Sequence, residues 1–238
     1  MRQTGMRLSA EEIQKTIDRL HQRIHDRFPG SGLSGVSQEL SAVSRQTDEI
    51  LEWIGRPHCL MRGVIGLFLG LVVLAAAYSM AHLDLRTDGI NLAEFVQMIE
   101  AAVNEVVLLA AGITFLVTFE TRRRRKRVVQ AVNRLRTIAH LIDAHQLTKD
   151  PDMVRAEGTP TTHSPARELN DFELGRYLDY CSELLSLVGK LGFLYVQDFN
   201  DPAANSAVND LEDLTTGLAQ KIWQKIIILR RPRDRQPA

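Results

Sequence analysis

Two apolar stretches, the second followed at once by six basic residues, limit what this chain can fold into more than any other feature. Residues 64–81 carry no charge. A helix needs about 20 apolar residues to cross a hydrocarbon core roughly 30 Å thick. A buried helix of a soluble core normally keeps a polar stripe, and residues 64–81 have none. The second stretch, residues 101–119, is less uniform, because Asn104 and Glu105 sit about one turn inside its start. It crosses a bilayer only if these two lie at the headgroup level or face another helix. An intramembrane carboxylate is costly and marks a functional candidate. Asn104 and Glu105 are therefore the candidate polar lining of any pore, with an interfacial position as the plainer reading.

The flanking charges orient the pair. Arg56, His58 and Arg62 precede the first stretch, and Arg122, Arg123, Arg124, Arg125, Lys126 and Arg127 follow the second. The segment between them has four acids, Asp84, Asp88, Glu94 and Glu100, against one Arg. Basic flanks stay in the cytoplasm, so both termini are expected there, with the connecting loop outside. The basic run also suits anionic headgroups, at about 1 kcal/mol per basic residue near the surface. Nucleic acid is disfavoured as a partner, since the formal net charge is +0 and no other basic face appears. The polar, charged residues before position 64 lack the pattern of a secretory signal peptide, so the first span reads as an uncleaved insertion signal. Cys59 and Cys181 are too far apart for a disulfide framework or a metal site.

Outside the apolar pair the pattern is helical. Ser9 with Glu12 makes a capping box, and Ile13, Ile17, Leu20, Ile24 and Phe28 follow as one seam. Residues 29–35, PGSGLSG, read as a flexible turn. A second helix carries Val36, Leu40, Val43, Thr47, Ile50 and Ile54 and stops at Gly55 and Pro57. Leu92, Phe95, Val96, Ile99, Val103 and Val106 share a face that lies on the outer surface or runs straight into the second span. Val128, Val132, Leu135, Ala139 and Ile142 continue a helix after the basic run to about Leu147, and residues 148–169 read as a linker. Asn170 with Glu173 caps a helix that reaches about Phe199, Asp201-Pro202 breaks it, and Val208, Leu211, Leu214, Leu218, Ile222, Ile226 and Leu229 mark the last helix. These two helices form an αα-hairpin over residues 170–230, followed by a basic tail, 231–238.

The expected class is an all-α membrane protein: two transmembrane helices (residues 63–81 and 101–119) and a cytoplasmic bundle of about five helices, with a core large enough to be stable. The N-terminal helices occupy residues 1–61, the transmembrane hairpin 62–120 and the basic juxtamembrane helix 121–147. Gly66 and Gly70 form a GxxxG, which lets helices approach closely, within the hairpin beside Ala110, Ala111 and Gly112 or between copies.

Chemistry-bearing residues are sparse. No phosphate loop, nucleophile elbow, HExxH or CxxC pair occurs, so no cofactor is expected. His140 and Asp143 share a helix face, with His145 turned away, and two ligands make half a metal site. Asp18, His21 and His25 also share a face, but Arg19, Arg23 and Arg27 nearby oppose a cation. No metal is expected. Arg134 and His140 resemble the Arg-x(4–6)-His spacing of the HEPN ribonucleases over seven residues, with Leu135 where a polar residue is usual. That resemblance implies Arg134 on a phosphate and His140 as acid or base.

The stretch AHLIDAHQLTKDP (residues 139–151) and LEDLTTGLAQKIWQKI (211–226) resemble segments of uncharacterised two-span membrane proteins of bacteria, which implies an inner-membrane location and no activity. In outline the chain is also similar to the two-span effectors of bacterial conflict systems. The leading expectation is an oligomeric scaffold or partner-binding protein in the bilayer, assembling with its own copies or a cytoplasmic protein. A pore or gated effector comes second, and a membrane-tethered ribonuclease third.

Overall fold

The computed structural model describes residues 7–55, 63, 64, 66–68, 70–72, 74, 78, 92–151, 162 and 169–231, with the side chains of 94, 101 and 116 left aside. Six helices are bounded: α1 (Ala10–Arg27), α2 (Gly32–Arg45), α3 (Thr47–Gly55), α4 (Leu92–Leu147), α5 (Asp171–Leu194) and α6 (Pro202–Arg230). No strand occurs among the described residues. The chain divides into two compact units, residues 1–55 with 127–238, and residues 56–126.

The first unit is a helical bundle. Ser9 caps α1, its side chain accepting from the Glu12 amide at 3.4 Å. α1 then buries Ile13, Ile17, Leu20 and Ile24. The turn that follows is shorter than the sequence suggests. Gly30 takes a positive φ of 72° and Ser31 caps α2, so Gly32 and Gly35 of the expected turn are helical. An N-cap serine satisfies orphan amides, and that outweighs the poor helix propensity of two glycines. The second expected helix is two helices, broken at Gln46, whose amide reaches back to the Ser44 and Val43 carbonyls. Thr47 starts α3 buried, its hydroxyl donating to the Val43 carbonyl and lying 3.3 Å from the Tyr195 hydroxyl.

α5 opens with the full Asn170–Glu173 capping box, and α6 with Asp201 accepting from the Ala203 and Ala204 amides. α5 ends at Leu194, and turns carry the chain to Phe199. The α5–α6 crossing is close: a Cβ on Gly192 would stand 2.7 Å from Leu211 Cδ2 and 3.7 Å from Leu135 Cδ1. Val128, Val132, Leu135, Ala139 and Ile142 of α4 are buried in the same core as the seams of α1, α2, α5 and α6. The seams therefore close on one another within a single chain.

α4 ends under a long-range cap. Lys225 Nζ donates to the Gln146 carbonyl (2.9 Å), Gln146 Oε1 (2.8 Å) and the Lys149 carbonyl (3.4 Å). Unsatisfied carbonyls at a helix C-terminus attract cations. Burial nonetheless holds the Lys225 ammonium below the usual lysine range, against Asp150 and Asp143, which favour its charge.

In the second unit, α4 from Leu92 to Lys126 presents apolar side chains outward, among them Val106, Val107, Leu108 and Phe115. Residues described within the first apolar stretch, such as Leu67, Phe68 and Leu71, are helical and exposed. The Phe68 ring meets α4 at Gly112, 3.1 Å from where a Cβ would stand. Gly66 and Gly70 have nothing within 4 Å of such a position. Among the described residues of this unit, the close approach is made at Gly112.

Candidate functional site

The bundle has a bare aromatic. Trp223 of α6 is 56% exposed, and Ile227 one turn on is exposed beside it. A groove of about 580 Å³ opens on one side of Trp223, floored by Leu185, Thr215 and Ala219 between α5 and α6. A second, about 650 Å³, opens on the other side, between α1, α5 and α6, with Leu20, Leu187 and Ile226 below and Arg19, Arg23, Glu183 and Lys190 at its edge. Ser182, Ser186 and Trp223 border both. An apolar side chain between two apolar-floored grooves is the pattern of an association surface. Trp and Tyr are typical anchors at such places.

A second feature is polar. α2 buries four serines, Ser34, Ser37, Ser41 and Ser44, against α1. Asp18 and His21 cross to them. Ser41 Oγ donates to Asp18 Oδ1 at 2.6 Å, Arg45 Nη2 approaches the same oxygen at 3.4 Å, and His21 Nδ1 lies 2.8 Å from Ser37 Oγ. His25 Nδ1 lies 3.4 Å from Ser34 Oγ. Burial depresses the His21 imidazole below the usual histidine range; His25 and Arg45 add to this, and Asp18 opposes it.

The juxtamembrane cations are partly engaged. Arg124 pairs with Glu120, and the Arg123 guanidinium lies 5.2 Å over the Phe119 ring. Arg127 stacks on Trp53 and donates to its carbonyl at 3.4 Å. Arg122 and Lys126 are exposed, and Arg125 is half-buried. Trp53 and Arg127 stand at the two points where the chain leaves and re-enters the bundle. Those points are adjacent.

Of Arg134, His140 and Asp143, the candidates for chemistry, the first and last have separate partners. Arg134 donates to Gln46 Oε1 at 3.0 Å and stands 3.9 Å from Glu39, so it ties α4 to α2. His140 is exposed, and Asp143 accepts from Gln146 Nε2 at 2.7 Å. Arg134, His140 and Asp143 line neither groove beside Trp223. The ring of His145 covers Gly32. Asn104 and Glu105 are exposed on α4. Cys181 is buried, which pushes its thiol up to about 12, and Cys59 lies outside the described residues. Among the described residues no three His, Cys, Asp or Glu side chains converge as metal ligands.

The sequence reading missed Trp223, because a single exposed aromatic breaks no periodicity. It missed the buried serines because their spacing of three and four is visible only to someone counting polar residues as core.

These features define an all-helical protein with one helix, among the described residues, long and apolar enough to cross a membrane. Compared with known proteins, the chain matches no family model, no curated protein and no solved structure.

Proposed function

We propose that this chain is a two-span protein of a bacterial inner membrane, with both termini in the cytoplasm, that serves as an oligomeric scaffold through the Trp223 face of its bundle. The observation that carries the reading is Trp223 itself, bare between two grooves on a bundle whose own seams are closed. The occupant that fits is a second copy: grooves and anchor lie on one face, so a two-fold axis sets each Trp223 into the other chain's groove. Two spans rising from one place are supported by the stacking of Arg127 on Trp53, which joins the exit and re-entry points. The exposed apolar half of α4 and the basic run that follows it support the bilayer and the orientation.

The mass of the full chain in mild detergent, with the detergent contribution subtracted, tests this. The expected result is a dimer or larger assembly for the wild type and a smaller particle for Trp223→Glu. A monomeric wild type removes the oligomer reading. Fusion of a periplasm-dependent reporter at the C-terminus checks the topology, and activity there overturns it.

The pore reading keeps one supporting observation. Glu105, exposed on α4, adds a charge inside the apolar stretch. Dye or ion flux from liposomes, abolished by Glu105→Ala, establishes it; absence of flux leaves the scaffold.

A further inference from the structure

The sequence argues against a cation at His21 and His25 because Arg19, Arg23 and Arg27 sit among them. Their placement reverses that argument. Residues two apart on a helix do not share a face. Arg23 turns to α5, 3.2 Å from Glu183 and 5.2 Å over the Tyr180 ring. Arg27 lies 5.6 Å over the Phe172 ring, and Arg19 borders the groove between α1, α5 and α6. The histidines are on the other side, against α2. The one cation of α2 that reaches this side, Arg45, is paired with Asp18.

The serines also fix how His21 presents its nitrogens. Ser37 has one hydroxyl proton, and it goes to the Ser34 carbonyl at 2.8 Å. Ser37 Oγ therefore accepts from His21, so Nδ1 carries the imidazole proton and Nε2 keeps its lone pair. His25 places its own Nδ1 3.4 Å from Ser34 Oγ. The two rings are 6.1 Å apart between centroids and tilted by 39°. A ring held at Nδ1 by a neighbouring oxygen, with Nε2 pointing away from it, is the usual arrangement of a metal-ligating histidine. Spacing of i and i+4 places two such rings on one face, as in helical zinc motifs.

We propose that His21 and His25 form a two-nitrogen chelate for a divalent transition ion that favours imidazole, with Ser37 and Ser34 as positioning residues. Two protein ligands leave the remaining positions open to water or to a side chain of a partner. The site sits on α1 and does not depend on the oligomer reading.

The test is titration of the full chain, without an affinity tag, with Zn²⁺, Ni²⁺ and Cu²⁺ in competition with a chromogenic chelator. One ion per chain is expected. Cu²⁺ should bind more tightly than Ni²⁺ or Zn²⁺, and Mg²⁺ should give no signal. His25→Ala, at an exposed position, should weaken binding by more than tenfold, and Ser37→Ala by about tenfold through the lost tether of His21. His21→Ala adds a third variant, read only if its helical circular dichroism matches the wild type. Absence of any bound ion overturns the proposal. So does binding that His25→Ala leaves unchanged, which places the ion on other histidines.

Discussion

The two halves of α4 invert one another. Before Lys126 the apolar side chains face outward; Leu108 is 70% exposed. After Arg127 they face inward; Leu135 is 0% exposed among α1, α2, α5 and α6. Both halves belong to one helix, Leu92–Leu147, and the basic run lies between them. Local propensity cannot separate them, since Leu, Val and Ala fill both. The difference lies in what surrounds each half. A helix apolar all round belongs in hydrocarbon, whereas one with a single stripe belongs on a core.

That contrast can be broken most sharply in the buried half. Leu135→Ala should cost about 2–5 kcal/mol, as expected for a leucine deleted from a closed core. Thermal unfolding followed by circular dichroism reads the loss. Leu108→Ala should leave the same curve in place. In the outer half, Leu108→Arg should oppose membrane insertion by about 2.5–3.5 kcal/mol, the cost of a charge at the middle of a span. The membrane-bound fraction after expression should fall; an unchanged fraction would mean that this half does not cross. Gly192→Ala should cost about 1–3 kcal/mol by overpacking the α5–α6 crossing at Leu211, with no effect on insertion. Cys181, in a Cys59→Ser background, should react with a thiol reagent only after unfolding, because burial holds its thiol up to about 12.

The smallest effect concerns acid. Folding depresses the His21 imidazole below its ordinary value of 6.5, chiefly by burial. Below pH 6.5 the unfolded chain therefore takes up this proton more readily than the folded one. The stability linked to His21 is present above that value and is lost as pH falls from 6.5 toward the folded-state value. Unfolding midpoints at pH 7.5 and 5.5 should differ less in His21→Gln than in the wild type.

Much of this fold was legible in the chain. The caps at Ser9 and Asn170, the break at Asp201-Pro202 and the seams from Ile13 and Val208 needed only local spacing, because capping and amphipathicity act within one or two turns. The start of α2 was hidden by its glycines, where the decisive group was the Ser31 hydroxyl. The break at Gln46 has no Gly or Pro to announce it. The buried serines were illegible from α2 alone, since a hydroxyl enters a core only where a partner such as Asp18 or His21 meets it. Lys225 at the end of α4 is a contact across 79 positions, which no window can show. The surroundings of the candidate residues were less legible: the spacing of Arg134 and His140 does not say that Gln46 accepts from the arginine.

The adjacency of Trp53 and Arg127 has a consequence for the order of events at the ribosome. Helices α1, α2 and α3 emerge first, and α1 meets α2 at once, yet the rest of the core that covers them is encoded after residue 126. Their remaining apolar faces stay open while residues 56–126 are made. The bundle can close only when α5 and α6 appear. Assembly of the core is thereby coupled to completion of the segment between Gly55 and Arg127, and a chain halted within it leaves three amphipathic helices incompletely covered and exposed to aggregation.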